Sequence, residues 1–327
     1  MNDKEEFKDN SNSDSKLDSK KEIHKGKESK IKDMTPVVSN NNTNGQIDGI
    51  HTAKSLYDGL WELYEGKTSK RYSTGFKDLD PFMRLVKPSF ILMTGTPNCG
   101  KSSLTYSIIM KTARKYGFKY MIFSPEHSLA INLKRLIEKY VQKPFDIMFE
   151  NRCTIDEVTE AVDFIEKHFF FVDKKGDSPD IDWILQRAKY CVDNYQIDGI
   201  VTDPYNEINP ARSNLREDEH ISVLISKIKR FNRETNTITF MVAHPTKQIR
   251  NPDGLFEVKS LYDVSGSSHW NNKTDLGVIV TRDFERGQTK VRIAKVREVG
   301  VGGNIGETTL RFNMKTMCYD SLMDNKF

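Results

Sequence analysis

The sequence FILMTGTPNCGKS, residues 90–102, decides the fold class of this chain. Its first part, Phe90 to Thr94, is a short apolar run typical of a buried strand, and Ser103 to Lys115 is predicted as a helix. Between them lies the pattern G-x-x-x-x-G-K-[ST], which forms a phosphate-binding loop when a strand precedes it and a helix follows it. A chance glycine-rich turn is the weaker interpretation because both flanking elements are predicted.

The residue types in this loop suit phosphate binding. Glycines let backbone N–H groups turn toward phosphates, and the helix N-terminus adds its positive end. We expect Lys101 to reach the β and γ phosphates of ATP and Ser102 to bind Mg²⁺. The residues predicted to contact the nucleotide here are Gly95, Thr96, Pro97, Asn98, Cys99, Gly100, Lys101, Ser102 and Ser103.

Outward from the loop, predicted strands alternate with predicted helices. This alternation indicates an α/β fold with a mostly parallel central sheet and helices on both faces. One such domain is predicted over residues 70–320. Further strands are predicted at 120–124, 199–202 and 237–243, further helices at 129–140, 181–195 and 221–231, and antiparallel edge strands at 277–281, 290–296 and 308–312.

Two carboxylates follow predicted strands. Asp203 ends the strand GIVT, where a second Mg²⁺ ligand is needed, although it also suits the turn before Pro204. Glu126 follows the strand YMIFS, and we expect it to orient and deprotonate the attacking water. A surface acid at the start of a helix is the alternative for Glu126. Both are candidates for the same phosphate-binding edge of the sheet.

His244 ends a third predicted strand, TITFMVA. At this edge an imidazole can sense the γ-phosphate and pass its presence to the following loop. A histidine that only makes a structural hydrogen bond is the alternative. We therefore count His244 as a candidate sensor.

Taken together, the motifs resemble those of the DnaB-like replicative helicases, and within them the branch of Twinkle and the phage primase-helicases. The similarity covers about residues 70–320. His244 stands where bacterial DnaB proteins commonly have Gln, which favours that branch. The segments that carry the resemblance are STGF at 73–76, SPE at 124–126, DPYNEI at 203–208, AHP at 243–245, DVSGSSHWNNKTD at 263–275, AKVR at 294–297 and LRF at 310–312.

The resemblance implies a RecA-like P-loop ATPase core that assembles into a ring, usually a hexamer, around single-stranded DNA. ATP then lies between subunits, with Lys295 and an arginine finger, Arg297, near the end of the motor. No zinc-binding or primase segment precedes the motor, so we expect any primase or polymerase to be a separate partner. The residues implied to contact DNA are Lys247, Arg250, Gly266, Ser267, Ser268 and Lys273. For Lys247 and Arg250, a solvated charged loop is the alternative.

The residues before the domain have a different composition. Residues 1–49 hold nine Lys against ten Asp plus Glu, with Phe7 as the only aromatic, and are predicted to be a disordered tail. Residues 50–69 contain an apolar stripe and are predicted to form a linker helix, which packs either on its own domain or on a neighbouring subunit. Residues 321–327 are predicted to be a C-terminal tail.

Composition excludes several kinds of protein. The four cysteines, at 99, 153, 191 and 318, have no metal-site or disulfide spacing. There is no apolar run approaching the length of a membrane span and no signal segment, so a soluble, cytoplasmic protein is expected. The net charge of +4 is too small to indicate nucleic-acid binding by itself.

These features predict an ATP-dependent replicative DNA helicase motor that moves on single-stranded DNA. A RecA-type recombinase or a circadian-clock type ATPase shares the core and the phosphate-binding loop. A non-hydrolysing, DNA-bound scaffold is the alternative outside enzymology, and it requires that Glu126 is not placed for catalysis.

Overall fold

A computed structural model describes residues 50–66, 70–209, 215–246, 249–250 and 256–322. The helices are α1 (Tyr57–Tyr64), α2 (Lys101–Tyr116), α3 (Leu129–Val141), α4 (Ile155–His168), α5 (Ile181–Tyr195), α6 (Glu217–Thr235) and α7 (His269–Lys273). The strands are β1 (Arg71–Ser73), β2 (Arg84–Val86), β3 (Ser89–Gly95), β4 (Tyr120–Phe123), β5 (Phe169–Val172), β6 (Gly199–Thr202), β7 (Ile238–Val242), β8 (Ile249–Arg250), β9 (Phe256–Glu257), β10 (Leu276–Asp283), β11 (Gln288–Val296), β12 (Gly306–Asn313) and β13 (Cys318–Ser321).

A nine-stranded sheet organises residues 70–322, in the order β13-β12-β11-β10-β3-β7-β6-β4-β5. The strands from β10 to β5 in this order are parallel, and β11, β12 and β13 extend the sheet in antiparallel fashion. The predicted α/β class, with a mostly parallel sheet and an antiparallel edge, is confirmed.

The prediction of an antiparallel edge strand at Gly277–Thr281 was wrong. These residues belong to β10, which pairs in parallel with β3 and antiparallel only with β11. After β7 the chain returns to the amino edge of the sheet through α7, so β10 runs in the same direction as β3. Sequence reasoning also missed α4 and β5, because β5 begins at Phe169 directly after the last residue of α4, with no turn residue between them.

Two apolar layers cover the faces of the sheet. On one face, α2, α3 and α4 contribute buried residues such as Leu104, Leu136 and Ile165. On the other, α5, α6 and α7 contribute residues such as Ile184 and Trp270. The central strands are therefore buried on both sides, which explains why β3, β4 and β7 are continuous apolar runs.

Helix α1 is shorter than the predicted segment. A single turn of 3-10 helix at Lys54–Leu56 precedes it, and all eight of its residues are exposed. The rings of Tyr57 and Trp61 stack one turn apart, with centroids 6.5 Å apart. Docking of α1 on its own domain or on a neighbouring subunit stays a prediction.

The predicted tail at 1–49 and residues 323–327 lie outside the described residues, so the prediction of disorder stays a prediction. The folded domain ends one residue beyond the predicted limit, because β13 continues to Ser321. Within the described ranges, none of the helices is long and apolar enough to cross a membrane.

Candidate functional site

The phosphate-binding loop leaves β3 at the carboxyl edge of the sheet and enters α2. Gly95 has φ 148°, and a Cβ atom there would lie 2.1 Å from the Val280 carbonyl oxygen. Gly100 has φ 93°, and a Cβ atom there would lie 2.1 Å from the Tyr319 hydroxyl. Gly95 is therefore required by close backbone approach as well as by backbone conformation, whereas Gly100 is required by its positive φ and lies beside a tyrosine side chain.

Lys101 points its ammonium group into this loop. Its Nζ atom donates to the carbonyl oxygens of Gly95 and Thr96, 3.0 Å away in each case, and the residue is only 5% exposed. Lys101 is also the first residue of α2, so its charge adds to the positive end of the helix dipole. This arrangement suits the binding of a phosphate anion.

Asp203 follows β6 and is 2% exposed. The pKa of its carboxyl is raised to about 6, mainly by burial; the Ser102 hydroxyl that donates to Asp203 lowers the pKa, and the nearby Glu126 raises it, and both contributions are included in that value. A buried carboxylate of this kind is stabilised by a bound cation. Ser102 and Asp203 fit Mg²⁺, which takes few protein oxygen ligands and completes its shell with phosphates and water.

Glu126 and His244 line the same cleft as Lys101 and Ser102, and the cleft has a volume of about 420 Å³. Glu126 is exposed just beyond β4, whereas His244 is half-buried just beyond β7. Burial lowers the pKa of His244, the Lys101 charge lowers it further, and Glu126 opposes both. The imidazole is therefore neutral at neutral pH and can donate one hydrogen bond to a phosphate.

Sequence reasoning missed Arg135, which also lines this cleft. Arg135 lies on α3, and its Nη2 atom is 2.7 Å from Nε2 of His127, next to Glu126. No spacing rule marks this arginine, because α3 reaches the cleft only through its packing against α2. Arg135 adds to the cleft a cation besides Lys101 in the same copy of the chain.

Two apolar side chains also line the cleft. They are Phe312 and Met317, and the guanidinium carbon of Arg282 lies 4.2 Å from the centroid of the Phe312 ring. An aromatic ring backed by a guanidinium can stack on a planar base. The cleft therefore combines the phosphate-binding loop with an aromatic ring suited to a nucleobase.

Lys295 and Arg297 lie at the opposite edge of the sheet. Val296 pairs with Leu276, the first residue of β10, and Leu276 pairs with Ile91 near the start of β3. This is the amino edge, whereas the phosphate-binding loop leaves β3 at its carboxyl edge. One copy of the chain therefore does not bring Lys295 or Arg297 to its own loop.

The segment predicted to contact DNA lies directly beside His244. Ser265 donates its backbone N–H to the His244 carbonyl oxygen at 3.0 Å, and Pro245 forms a bridge with Val264. Gly266 has φ 89°, and a Cβ atom there would lie 2.4 Å from a carboxylate oxygen of Glu217. The turn before α7 is thus directly connected to the candidate sensor.

The other residues predicted to contact DNA have different positions. The Ser267 hydroxyl accepts the backbone N–H of His269 at 2.9 Å, close to Ser268 at the start of α7. The Lys273 ammonium is held by α6, where it donates to the hydroxyls of Ser222 and Ser226 at 2.7 Å. That position does not support a DNA contact by Lys273. Lys247 lies outside the described residues, and only the backbone of Arg250, in β8, is described.

Comparison with known proteins identifies relatives of the whole domain. Residues 72–321 match the family model of the DnaB-like helicase C terminal domain. The chain is 34% identical over 286 residues to the Twinkle homolog protein, chloroplastic/mitochondrial, of Arabidopsis thaliana. That match covers 84% of this chain and 40% of the relative, so the chain spans less than half of the relative's length.

Two solved structures share the fold. One of them, an isolated ATPase domain, superposes with a TM-score of 0.69 at 18% identity, covering 84% of this chain and 99% of that one. A DnaB-like replicative helicase, from a structure that also concerns its interactions with primase, superposes with a TM-score of 0.66 at 19% identity, covering 85% of this chain and 68% of that one. At these identities the superpositions establish a common architecture.

Proposed function

The chain belongs to the family of DnaB-like helicase C-terminal domains, and from that premise we propose that it is the ATP-driven motor of a replicative DNA helicase. Its fold is the RecA-like core of that family. The motor moves along single-stranded DNA and separates the strands at a replication fork.

The position of the candidate site residues at two opposite edges of the sheet is the observation that carries this proposal. Lys101, Ser102, Glu126, Asp203 and His244 converge on the loop at the carboxyl edge of the sheet. The lysine and arginine implied by the family resemblance lie at the amino edge, beyond reach of that loop. A complete site therefore requires a second copy, and repetition of such a contact around an axis closes a ring.

The groups of one copy prepare hydrolysis. Lys101 would bind the β and γ phosphates, and Ser102 with Asp203 would hold a divalent cation, which when bound would neutralise phosphate charge. Glu126 is exposed and lines the cleft, where its side chain can accept a proton from the attacking water. His244 donates to the γ-phosphate, and its backbone contact with Ser265 transmits the state of the nucleotide to the segment proposed to hold DNA.

Fork unwinding tests the function. We expect the purified chain to separate a forked duplex in the presence of ATP and Mg²⁺, with turnover stimulated by single-stranded DNA. ATP turnover with strand exchange and no unwinding would favour the recombinase, and DNA binding with no turnover would favour the scaffold.

Mixing two inactive variants tests the trans role of Arg297. Arg297→Ala and Lys101→Ala should each lose turnover, because an arginine finger contributes about 10³ to 10⁵ in rate and the loop lysine binds the phosphates. Mixed rings contain interfaces with an intact loop from one copy and an intact Arg297 from the next, so turnover should reappear. Full activity of Arg297→Ala alone would contradict the trans assignment.

A primase or polymerase partner is part of the same proposal, as is a cytoplasmic location. The family resemblance supports separate partners of this kind, and one of the structural relatives is known from work on its interactions with primase. Co-purification of the full chain with candidate primases or polymerases is the direct measurement.

A further inference from the structure

Asp275 bonds Arg297 to neighbouring elements of the same domain. Its Oδ1 atom accepts Nε of Arg297 at 2.7 Å and also pairs with the Lys229 ammonium of α6. Its Oδ2 atom accepts the backbone N–H of Phe90 at 3.0 Å, at the start of β3. The Arg297 backbone N–H donates to the Asp275 carbonyl at 2.8 Å. Asp275 therefore joins the guanidinium to a central strand and to a helix.

The C-terminal end of α7 holds a second nitrogen of the guanidinium, Nη2. The Nη2 atom of Arg297 donates to the carbonyl oxygens of Asn272 and Lys273 at 3.1 and 3.0 Å. The Lys295 ammonium donates to the Asn271 and Asn272 carbonyls. Cations are favoured at this end of a helix because its last carbonyl groups lack partners within the helix. The orientation of Arg297 is thus set by Asp275 and α7 together.

The other end of α7 begins at the turn of Gly266. Trp270, which is fully buried, donates from Nε1 to the Ser265 carbonyl at 2.7 Å and packs edge-on against Tyr205 with ring centroids 4.8 Å apart. Tyr205 follows Asp203 by two residues. One end of helix α7 therefore packs near Asp203 and the segment proposed to contact DNA, and its other end contacts Arg297.

We propose that Asp275 is a positioning residue that orients Arg297 before it meets the ATP site of a neighbouring copy. The inference rests on the proposed function, since it requires that Arg297 acts in trans. A guanidinium whose Nε and Nη2 atoms are already bonded within its own subunit keeps Nη1 for the phosphate. Fewer side-chain conformations then have to be ordered when two subunits meet.

Asp275→Asn removes the charge while preserving the shape of the side chain. In the full chain with single-stranded DNA, kcat for ATP should fall about 10- to 100-fold, because a misdirected finger loses most of its stabilisation of the transition state. The KM for ATP should stay near the wild-type value, because the groups that bind the phosphates come from the other copy.

Asp198→Asn is a matched control. Asp198 lies at the same edge of the sheet, pairs with Lys87 and accepts the backbone N–H of Lys119 at 2.8 Å. Its side chain is 21% exposed, against 20% for Asp275. The Asp198→Asn control should show a loss of melting temperature similar to that of Asp275→Asn. Because Asp198 does not contact Arg297, the kcat of the control should stay at the wild-type value.

A double-variant comparison separates positioning from a structural role. In the Arg297→Ala background, Asp275→Asn should lower kcat no further, because no guanidinium is left to orient. Losses that multiply would overturn the inference. If Asp275→Asn does not assemble, Asp275→Glu, which keeps the charge, is carried through the same comparison.

Failure of this inference is distinguishable from failure of the proposed function. Full turnover of Arg297→Ala would contradict the assignment of Arg297 as a finger that acts in trans. An inactive Arg297→Ala variant together with a fully active Asp275→Asn variant would contradict only the positioning role of Asp275.

Discussion

At the scale of single residues, the cleft beside the phosphate-binding loop gathers charges that are costly to bury alone. Asp203 is buried, and burial raises its pKa, while the buried Lys101 ammonium donates to two carbonyl oxygens. Unpaired buried charge is unfavourable in the free protein and becomes favourable when a phosphate and a cation arrive. The site is therefore arranged for its ligands at some cost to the folded chain.

Lys101→Ala should abolish ATP turnover and leave the fold intact. The substitution deletes the phosphate-facing ammonium, which donates to two backbone carbonyls and forms no ion pair with an acid among the residues that the structure describes. The effect on melting temperature should be small, equivalent to about 1 kcal/mol or less. Turnover by steady-state assay and thermal unfolding by circular dichroism check both parts. Wild-type turnover in this variant would contradict the assignment of the loop.

At the scale of elements, α6 joins several parts of the domain. Its N-terminal Glu217 lies against Gly266, its serines hold Lys273, and its Lys229 pairs with Asp275. His220 is buried on the same helix, and its Nε2 atom has no hydrogen-bond partner among the residues that the structure describes. The protonation of this histidine therefore matters to the helix.

The stability of the protein should fall below neutral pH, in part through His220. Burial lowers the pKa of His220, Lys227 lowers it further, and Glu217 opposes them. Because the folded-state pKa lies below the unfolded value, the stability from neutral His220 is present above about pH 6.5 and is lost as the pH falls. His220→Gln should therefore lose less stability than the wild type between about pH 7.5 and pH 5.5. Denaturant unfolding at both pH values measures this, and equal losses in the two proteins would argue against it.

At the scale of the whole molecule, the proposed function requires more than one copy. The candidate catalytic residues lie at two edges of the sheet, and the turn at Gly266 is connected to both groups, through His244 on one side and α7 on the other. A ring is the assembly in which every such group would meet its complement. We propose that DNA inside such a ring is contacted through its phosphates.

Binding of single-stranded DNA should depend strongly on salt and hardly at all on sequence. The backbone N–H groups of the Gly266 turn and the predicted cations Lys247 and Arg250 are proposed to contact phosphates, and such contacts release counterions. The logarithm of affinity should fall by about 0.7 per tenfold increase in salt for each phosphate contacted. Titration of homopolymers and mixed sequences over a salt series tests this. A strong preference for one sequence, or an affinity indifferent to salt, would exclude the assigned DNA contact.

The sequence alone determined the chemistry of the loop and the class of the fold. Residues 90–102 hold a complete strand, turn and helix start, and the spacing of their apolar and glycine residues reflects local backbone geometry. Asp203, Glu126 and His244 were predictable for the same reason, since each directly follows an apolar strand and parallel strands end at a common edge.

Only the tertiary structure decided how distant segments meet. Arg135 lies in the cleft because α3 packs on α2. Asp275 contacts Arg297 because β10 runs parallel to β3 and antiparallel to β11. Lys273 is held by hydrogen bonds to α6. These pairs depend on strand direction and helix packing, which are set by burial of the whole apolar surface at once. These contacts cannot be predicted from residue spacing, because the partners are separated in the sequence by segments whose path depends on how the core packs.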